Sequence, residues 1–291
     1  MFDLTGKAVV VTGGGRGIGR GISRAMAKCG ASVVVAGRSV GFLNDTVEEL
    51  RSLGRTAIAL PTDVTSAADI DRLVQTTLDE FGAIDCWVNN AGSANAADVG
   101  PLIDLDERQW DAVVDLNLKW TFFSAQAAAR AMLHRGGSIV NISSRSGSQP
   151  CPRTGHYGAA KAGVESLTAT MAAEWGHHGI RVNAVAPGLV PTEESLAPGG
   201  SMSRPSRVAR QIETVPLRRL GTVDDIGAVC AFLATDEASW LTGEVIQVHG
   251  GSRIPVGYLS YMHHITEQLA DEQLADGQAA DEQAADAADS G

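Results

Sequence analysis

The fold of this chain is decided by one stretch near its N-terminus, Lys7-Ala8-Val9-Val10-Val11-Thr12-Gly13-Gly14-Gly15-Arg16-Gly17-Ile18-Gly19. Residues 7–11 form a short β-branched run bounded by glycines, which is typical of a buried strand. The glycine-rich turn follows at once, and residues 18–29 have the pattern of a helix. Strand, glycine-rich turn and helix form the context of a dinucleotide site, because the helix N-terminus offers free N–H groups to a pyrophosphate. A structural turn without a ligand is the alternative.

Beyond this stretch, short apolar runs alternate with amphipathic segments. The apolar runs predict six more strands, at residues 32–36, 56–60, 84–88, 138–142, 181–184 and 244–248. The amphipathic segments predict further helices at residues 44–53, 67–81, 106–133, 157–175 and 223–234. Strands that alternate with helices indicate an α/β protein with a parallel sheet.

Composition narrows the class of protein further. The 291 residues, 44% of them hydrophobic, suffice for one large α/β domain. The formal net charge is −11, but the excess is concentrated in the last part of the chain, where acidic residues continue after Arg253 and no Lys or Arg follows. The near balance of the body predicts no nucleic-acid partner. Residues 256–291, biased to Ala, Asp and Gln, are predicted to be an acidic low-complexity tail, disordered in part.

The sequence offers no sign of a membrane or a metal. The N-terminus lacks the basic and apolar regions of a signal peptide, and no apolar run approaches the ~20 residues of a membrane span. We therefore expect no membrane partner and a cytoplasmic location. The four cysteines are scattered without CxxC spacing, so we predict free thiols and no metal site.

Residues 157–161, Tyr-Gly-Ala-Ala-Lys, place a phenol and an amine on one face of a predicted helix. Side chains four residues apart have Cβ atoms about 5–6 Å apart. A phenol holds its proton until pH ~10, and a nearby ammonium lowers that pKa. Tyr157 could then act as a general acid or base near neutral pH. Taken alone, the pair favours an ordinary helix with one aromatic and one surface lysine.

Other motifs change that interpretation. Ser144 closes a predicted strand ahead of Tyr157, and Asn89-Asn90-Ala91-Gly92 closes another. Together with the turn spaced Gly13-x3-Gly17-x-Gly19, these features resemble the short-chain dehydrogenase/reductase family, in its single-domain form. The resemblance covers about residues 5–253 and rests on the order and spacing of all four motifs.

The resemblance implies the architecture in more detail. It implies an α/β Rossmann fold, with a doubly wound, mostly parallel seven-stranded sheet, strand order 3-2-1-4-5-6-7 and helices on both faces. It implies a single domain over residues 1–255. Within that domain, a stretch rich in Ser, Gly and Pro predicts a substrate lid at about 191–215, because closure that excludes water is a common device. In relatives, the helices equivalent to 106–133 and 157–175 pair between subunits, so we expect a homotetramer or homodimer.

The resemblance also implies the catalytic residues, which are Asn117, Ser144, Tyr157 and Lys161. Tyr157 would exchange a proton with the substrate oxygen, and Ser144 would hydrogen-bond that oxygen. Lys161 would lower the pKa of the tyrosine and hold the nicotinamide ribose. Asn117 would sit at a helical irregularity and keep a water in the proton relay.

The end of the second predicted strand bears on the choice of nicotinamide cofactor. An NAD site usually places Asp or Glu there, whereas a 2′-phosphate favours arginine. The sequence reads Gly37-Arg38-Ser39, with no acid until Asp45, and Arg16 can reach the same phosphate. Two guanidiniums without a carboxylate favour NADP(H). NAD(H) with two solvated arginines is the alternative.

The remaining cofactor contacts are implied by the resemblance. Asp63 would accept a bond from the adenine amino group, Val64 would pack on the ring, and backbone groups of Val190 with the Thr192 hydroxyl would hold the carboxamide. The full predicted cofactor set is Gly13, Gly15, Arg16, Gly17, Ile18, Gly19, Arg38, Ser39, Asp63, Val64, Asn90, Ala91, Gly92, Tyr157, Lys161, Pro187, Gly188, Val190 and Thr192.

The function implied is an oxidoreductase that interconverts a ketone and a secondary alcohol by hydride transfer with NADP(H). The expected substrate is a 3-oxoacyl thioester, a steroid or another cyclic ketone, and the residues do not choose among them. One alternative is an NAD-dependent alcohol dehydrogenase of the same family, and another is a non-catalytic dinucleotide sensor. A third is an enzyme that reduces the carbon–carbon double bond of an enoyl thioester.

Overall fold

A computed structural model of the protein describes residues 2–93, 96–198, 200 and 202–252. Its centre is one sheet of seven strands in the order β3-β2-β1-β4-β5-β6-β7, and all six neighbouring pairs are parallel. The strands are β1 Ala8–Thr12, β2 Ser32–Gly37, β3 Ala57–Pro61, β4 Cys86–Asn89, β5 Gly137–Ile142, β6 Ile180–Pro187 and β7 Val245–Val248. The predicted fold class and strand order are confirmed.

Helices connect the strands. They are α1 Gly17–Lys28, α2 Val40–Ser52, α3 Ala67–Phe81, α4 Glu107–Val114, α5 Trp120–Met132, α6 Gly155–Trp175, α7 Glu193–Leu196, α8 Pro205–Glu213 and α9 Val223–Ala234. None of the helices in the described residues is both long and apolar enough to cross a membrane.

Alternate residues of the strands build a core on each face of the sheet. In β1, Val9 and Val11 join a cluster formed with α1, α2 and α9. The intervening Val10 joins a second cluster, formed with α3, α5 and α6, in which Trp87 and Ile139 are fully buried. Because a parallel sheet covered on both sides buries both faces, these strands are continuously apolar rather than alternating.

Two predicted helices differ in detail from the structure. Helix α2 begins at Val40, four residues before the predicted start, because Ser39 occupies the N-cap position in extended conformation. The predicted helix over 106–133 is continuous but changes character in its middle. Residues Asp115–Lys119 form a π-helical turn between α4 and α5, as the family resemblance implied around Asn117.

The predicted lid at about 191–215 contains α7 and α8, and residues 199 and 201 within it lie outside the described set. The predicted tail, 256–291, also lies outside the described residues. The four cysteines are free thiols.

Candidate active site

A cleft of about 680 Å³ opens along the carboxyl ends of the parallel strands, where open α/β sheets bind their ligands. Its floor is the glycine-rich turn between β1 and α1. Gly13 and Gly17 have φ values of +65° and +51°, which L side chains rarely adopt. A Cβ at Gly13 would come within 2.9 Å of the Asn90 side-chain nitrogen. The turn can therefore bring its backbone close to a ligand only because these positions lack side chains.

The sequence-predicted cofactor residues are brought together in this cleft. Those that line it are Gly13, Gly15, Arg16, Gly17, Ile18, Gly19, Arg38, Ser39, Asp63, Val64, Asn90, Ala91, Gly92, Tyr157, Lys161, Pro187, Gly188 and Thr192. The side chain of Val190 instead packs in the core beside α9. Val190 is not among the residues that line the cleft, and its predicted backbone contact to the cofactor stays a prediction.

Asn90 joins the ends of two strands. Its side-chain amide donates to the backbone oxygens of Thr12 at 3.0 Å and Gly13 at 3.2 Å. The Thr12 hydroxyl in turn accepts from the backbone N–H groups of Asn90 and Ala91. These bonds hold the glycine-rich turn against the end of β4.

Tyr157 and Ser144 meet at the inner end of the cleft. Ser144 follows β5 and caps a 3₁₀ turn at residues Arg145–Gly147, where its Oγ accepts from the Ser146 N–H at 3.1 Å. Tyr157, in the first turns of α6, is half-buried and faces this hydroxyl. Burial raises the pKa of Tyr157 above its ordinary value, and hydrogen bonding from Ser144 opposes that rise.

Lys161 lies one turn further along α6 and is 4% exposed. Its Nζ donates to the Ile142 backbone oxygen at 2.8 Å and lies 5.6 Å from the centre of the Tyr157 ring. Burial lowers the pKa of Lys161 to about 8. An ammonium has three N–H donors. The bond to Ile142 therefore fixes the amine at the cleft wall and leaves donors for a ribose.

The expected lowering of the tyrosine pKa by Lys161 is not found. The pKa of Tyr157 is raised, with burial as the largest cause. The physical reason is the order of titration: with a pKa of about 8, Lys161 loses its proton before Tyr157 ionises. A neutral amine does not attract a phenolate, so desolvation prevails.

Asn117 lies in the π-helical turn and is fully buried. Its amide nitrogen donates to the backbone oxygens of Val113 at 2.9 Å and Ser93 at 2.8 Å. Its Oδ1 has no hydrogen-bond partner among the described residues. A Cβ at Gly92 would come within 2.6 Å of this oxygen and 3.4 Å of Lys161 Nζ. The unsatisfied acceptor therefore lies beside the cleft, near the amine.

The rim of the cleft at the end of β2 carries the two predicted arginines. Arg38 is exposed directly after the strand, and no carboxylate of the adjoining residues 37–44 enters the cleft. Arg16 forms an ion pair with Glu194 of α7 at 3.1 Å, and its guanidinium carbon lies 6.0 Å from the centre of the Phe42 ring. Arg16 thus faces the rim, but it already has a carboxylate partner.

The side chains predicted to bind the adenine and the carboxamide, Asp63 and Thr192, already make hydrogen bonds within the protein. One oxygen of Asp63 accepts from the backbone and hydroxyl of Thr65, at 2.9 and 2.7 Å. The Thr192 hydroxyl caps α7 by accepting from the Ser195 N–H at 3.3 Å. Both side chains retain further hydrogen-bonding capacity, because a carboxylate has a second oxygen and a hydroxyl keeps its proton to donate.

Two acidic side chains of the site were not foreseen. Glu194 pairs with Arg16, and Glu165 accepts a hydrogen bond from the Ser143 hydroxyl at 2.7 Å. The second could have been found from sequence, because Glu165 follows Lys161 by four residues and therefore shares its helix face. Glu194 carried no such signal, since it meets Arg16 only through the fold.

The geometry suits a nicotinamide dinucleotide. A side-chain-free turn at a helix N-terminus can receive a pyrophosphate, and Lys161 has donors to spare at the other end of the cleft. A phenol and a hydroxyl lie next to that end. The fold and the site together define a dinucleotide-binding oxidoreductase.

Comparisons with known proteins identify the family. A family model described as "Enoyl-(Acyl carrier protein) reductase" matches residues 13–253. The 3-oxoacyl-[acyl-carrier-protein] reductase of Synechocystis sp. is 37% identical over 254 residues, which cover 86% of this chain and 98% of that protein. Glucose 1-dehydrogenase 2 of Bacillus subtilis is 34% identical over 86% of this chain and 95% of its own length.

Solved structures agree with this assignment. A short-chain type dehydrogenase/reductase from Mycobacterium marinum matches with a TM-score of 0.80 at 34% identity, covering 87% of this chain and 98% of that one. The chain belongs to the short-chain dehydrogenase/reductase family. It is therefore an enzyme that acts on CH–OH groups with a nicotinamide cofactor.

Proposed function

We propose that this enzyme interconverts a ketone and a secondary alcohol with NADP(H). The observation that carries the proposal is that Tyr157 and Lys161 line one end of a cleft whose other end is the glycine-rich turn, and that the Ser144 hydroxyl is hydrogen-bonded to the phenol of Tyr157. The bound cofactor supplies the hydride, and the protein supplies placement and electrostatics.

Each residue then has a defined task in the reduction direction. Tyr157 donates its proton to the developing alkoxide, and Ser144 hydrogen-bonds the same oxygen and holds it in place. Lys161 holds the nicotinamide ribose with its remaining donors. The buried Oδ1 of Asn117, which has no partner within the described part of the chain, supports the role of Asn117 as the acceptor for a water that carries protons from Lys161.

The raised pKa of Tyr157 is compatible with this direction. A tyrosine that holds its proton is ready to act as the acid, so reduction starts from the protonation state present at neutral pH. The alcohol-oxidising direction needs the phenolate and gains from higher pH. NADPH as the reductant fits the same direction.

The preference for NADP(H) over NAD(H) is supported at the rim. Arg38 and Arg16 line the cleft, and residues 37–44 contain no acid of the kind typical of an NAD site, a combination that favours a 2′-phosphate. The ion pair between Arg16 and Glu194 lessens this support, because the carboxylate competes for one guanidinium.

The substrate class proposed is a 3-oxoacyl thioester, a steroid or another cyclic ketone. The Synechocystis relative acts on a 3-oxoacyl thioester by its name, and the Bacillus relative on glucose. The description of the matching family model favours one further candidate, reduction of an enoyl thioester. The Ser144–Tyr157 pair favours carbonyl chemistry, because its two hydroxyls suit a developing alkoxide.

A two-way screen tests the proposal. Purified enzyme is mixed with NADPH or NADH and a panel of 3-oxoacyl thioesters, cyclic ketones and enoyl thioesters, and nicotinamide absorbance is followed. We expect ketone-dependent oxidation, faster with NADPH at equal subsaturating concentration. Oxidation only with enoyl thioesters would contradict the carbonyl assignment. Binding of NADPH without turnover of any substrate would support the sensor instead, and faster turnover with NADH would reverse the cofactor assignment.

The proposal extends to assembly and location. We expect a homodimer or homotetramer that pairs helices α5 and α6 with those of another subunit, and a cytoplasmic enzyme with a lid at about 191–215. The first of these is supported by a groove between α5 and α6 lined by half-buried apolar side chains, among them Phe122, Leu133, Leu167 and Trp175.

A further inference from the structure

Three side chains of α6 contact the chain where it leaves β5. Tyr157, Lys161 and Glu165 are spaced by four residues and therefore lie on one face of the helix. The first two belong to the catalytic set already described. Glu165, the third, is half-buried, and the proposed reaction gives it no task.

Glu165 binds the residue next to the catalytic serine. The Ser143 hydroxyl donates to Glu165 Oε1 at 2.7 Å and lies 3.4 Å from the Lys161 backbone oxygen. The backbone N–H of Ser143 donates to the Val185 oxygen at 2.7 Å. Ser143 is thus held by β6 on its backbone side and by α6 on its side-chain side.

Glu165 also supports the turn that Ser144 caps. A Cβ at Gly147 would come within 2.6 Å of Glu165 Oε1, so the carboxylate packs directly against the backbone of this turn. The other end of the turn is bonded to Ser144, whose Oγ accepts from the Ser146 N–H. The carboxylate therefore contacts the chain on both sides of Ser144.

We infer that Glu165 is a positioning residue for Ser144, acting through the hydroxyl of Ser143 and the backbone of Gly147. The Glu165 carboxylate fixes Ser143, directly before the catalytic serine, and Gly147, in the turn after it. The hydroxyl of Ser144 is thereby directed to the phenol of Tyr157. The inference rests on the proposed function, in which Ser144 binds the reacting oxygen.

A set of α6 variants tests this inference by kinetics. Glu165→Ala removes the acceptor of Ser143 and the surface beneath Gly147, and we expect kcat to fall about tenfold or more, as misplaced catalytic groups do. The Kd for NADPH should stay within about twofold of the wild-type value, because Glu165 does not line the cleft. Glu165→Gln keeps an oxygen of the same reach and should recover most of kcat.

The matched control is Ser166→Ala, on the exposed side of the same helix, for which we expect wild-type kcat and Kd. Circular dichroism checks that each variant is folded. An unchanged kcat in Glu165→Ala would overturn the inference. So would equal losses in Glu165→Ala and Glu165→Gln, because the amide oxygen would then have failed to replace the carboxylate.

A second measurement does not depend on turnover. With Tyr258→Phe and Tyr261→Phe, Tyr157 is the only tyrosine, and its ionisation can be followed by phenolate absorbance. Hydrogen bonding from Ser144 lowers the pKa of Tyr157. Misplacing Ser144 through Glu165→Ala should therefore raise the pKa of Tyr157, and Ser144→Ala should raise it as well.

The sign of that shift is decisive, because removal of a negative charge by itself would lower the pKa of the phenol. An unchanged or lowered pKa in Glu165→Ala would overturn the inference. If the wild-type enzyme reduces no ketone, the proposed function fails, and this titration still decides whether Glu165 positions Ser144.

Discussion

Lys161 is the residue whose burial has the clearest consequence for stability. Burial lowers its pKa from 10.5 to about 8, so the folded state disfavours the ammonium. By linkage, burial of Lys161 lowers the stability of the folded state by its full amount below pH 8. This destabilisation disappears as the pH rises to 10.5, the pKa of the lysine in the unfolded chain. The difference between the two pKa values corresponds to about 3 kcal/mol of folding stability.

The corresponding prediction concerns Lys161→Met. Between pH 8 and 10.5 the free energy of unfolding of the wild-type protein should rise by up to about 3 kcal/mol relative to the variant. Urea denaturation of both proteins at pH 7, 9 and 10.5 measures this. A difference that stays constant with pH would show that Lys161 is not held in a desolvated place.

Gly92 lines the cleft next to two catalytic groups, the side-chain oxygen of Asn117 and the amine of Lys161. A methyl group there would come within 2.6 Å of Asn117 Oδ1 and 3.4 Å of Lys161 Nζ. We predict that Gly92→Ala lowers kcat/KM by about tenfold or more, because a small displacement of reacting groups is costly. Gly100→Ala is the control, since a Cβ at Gly100 meets nothing within 4 Å. Equal activity of the two variants would contradict this.

At these single positions the sequence was a good guide to location and a poorer one to electrostatics. The spacing of Tyr157 and Lys161 correctly placed both side chains at one wall of the cleft. It could not reveal that both are desolvated, because burial is produced by the surrounding sheet and helices. The predicted direction of the tyrosine pKa shift was therefore wrong.

Among the elements, α1 and α9 pack most closely. A Cβ at Gly21 would lie 2.6 Å from Val223 Cβ and 2.8 Å from its backbone oxygen, with no flexible end to move away. We predict that Gly21→Ala lowers the free energy of unfolding by about 1–3 kcal/mol, the range for overpacking. We expect the change also to displace the glycine-rich turn, because α1 begins there.

Gly41→Ala, at an exposed position of α2, is the opposite case. A Cβ there meets nothing within 4 Å, and its φ is not in the left-handed region. We predict a gain of about 0.5–1 kcal/mol from the loss of backbone entropy in the unfolded chain. Chemical denaturation of both variants measures the two effects. A gain at Gly21, or a loss at Gly41, would contradict the packing described.

The seven strands and the helices other than α7 and α8 could be predicted from periodicity, but some of their boundaries could not. Helix α2 begins at Val40 because the chain turns at Ser39 directly after β2, while the polar Asn44 imitates a start signal. The π-helical turn at Asp115–Lys119 has no periodicity signal of its own. It was foreseen through the family resemblance and not from the residues.

For the molecule as a whole, assembly is the main open prediction. Phe123 of α5 is 43% exposed and lies against Trp120 and Phe122 on the face expected to pair. A free subunit should tolerate Phe123→Glu, because the new carboxylate stays in water. An apolar interface between subunits would bury that charge, so the substitution should weaken the assembly. We predict a dimer or tetramer for the wild-type protein and a smaller species for the variant, measured by light scattering.

Leu53→Glu is the control for that experiment. Leu53 is 41% exposed at the end of α2, outside the predicted interface, and the change should leave the assembly intact. A monomeric wild-type protein, or identical assembly of all three proteins, would contradict pairing through α5. The family resemblance suggested this surface, but the number of subunits depends on a second copy.

The central claim is that the phenol of Tyr157 exchanges the proton while hydride is transferred. Its most direct test is the rate of ketone-dependent NADPH oxidation by Tyr157→Phe, with NADPH binding measured in parallel by fluorescence. We predict unchanged NADPH binding and turnover reduced by about 10²–10⁴ or more, the size of a general-acid contribution. Turnover equal to that of the wild-type enzyme would contradict the account.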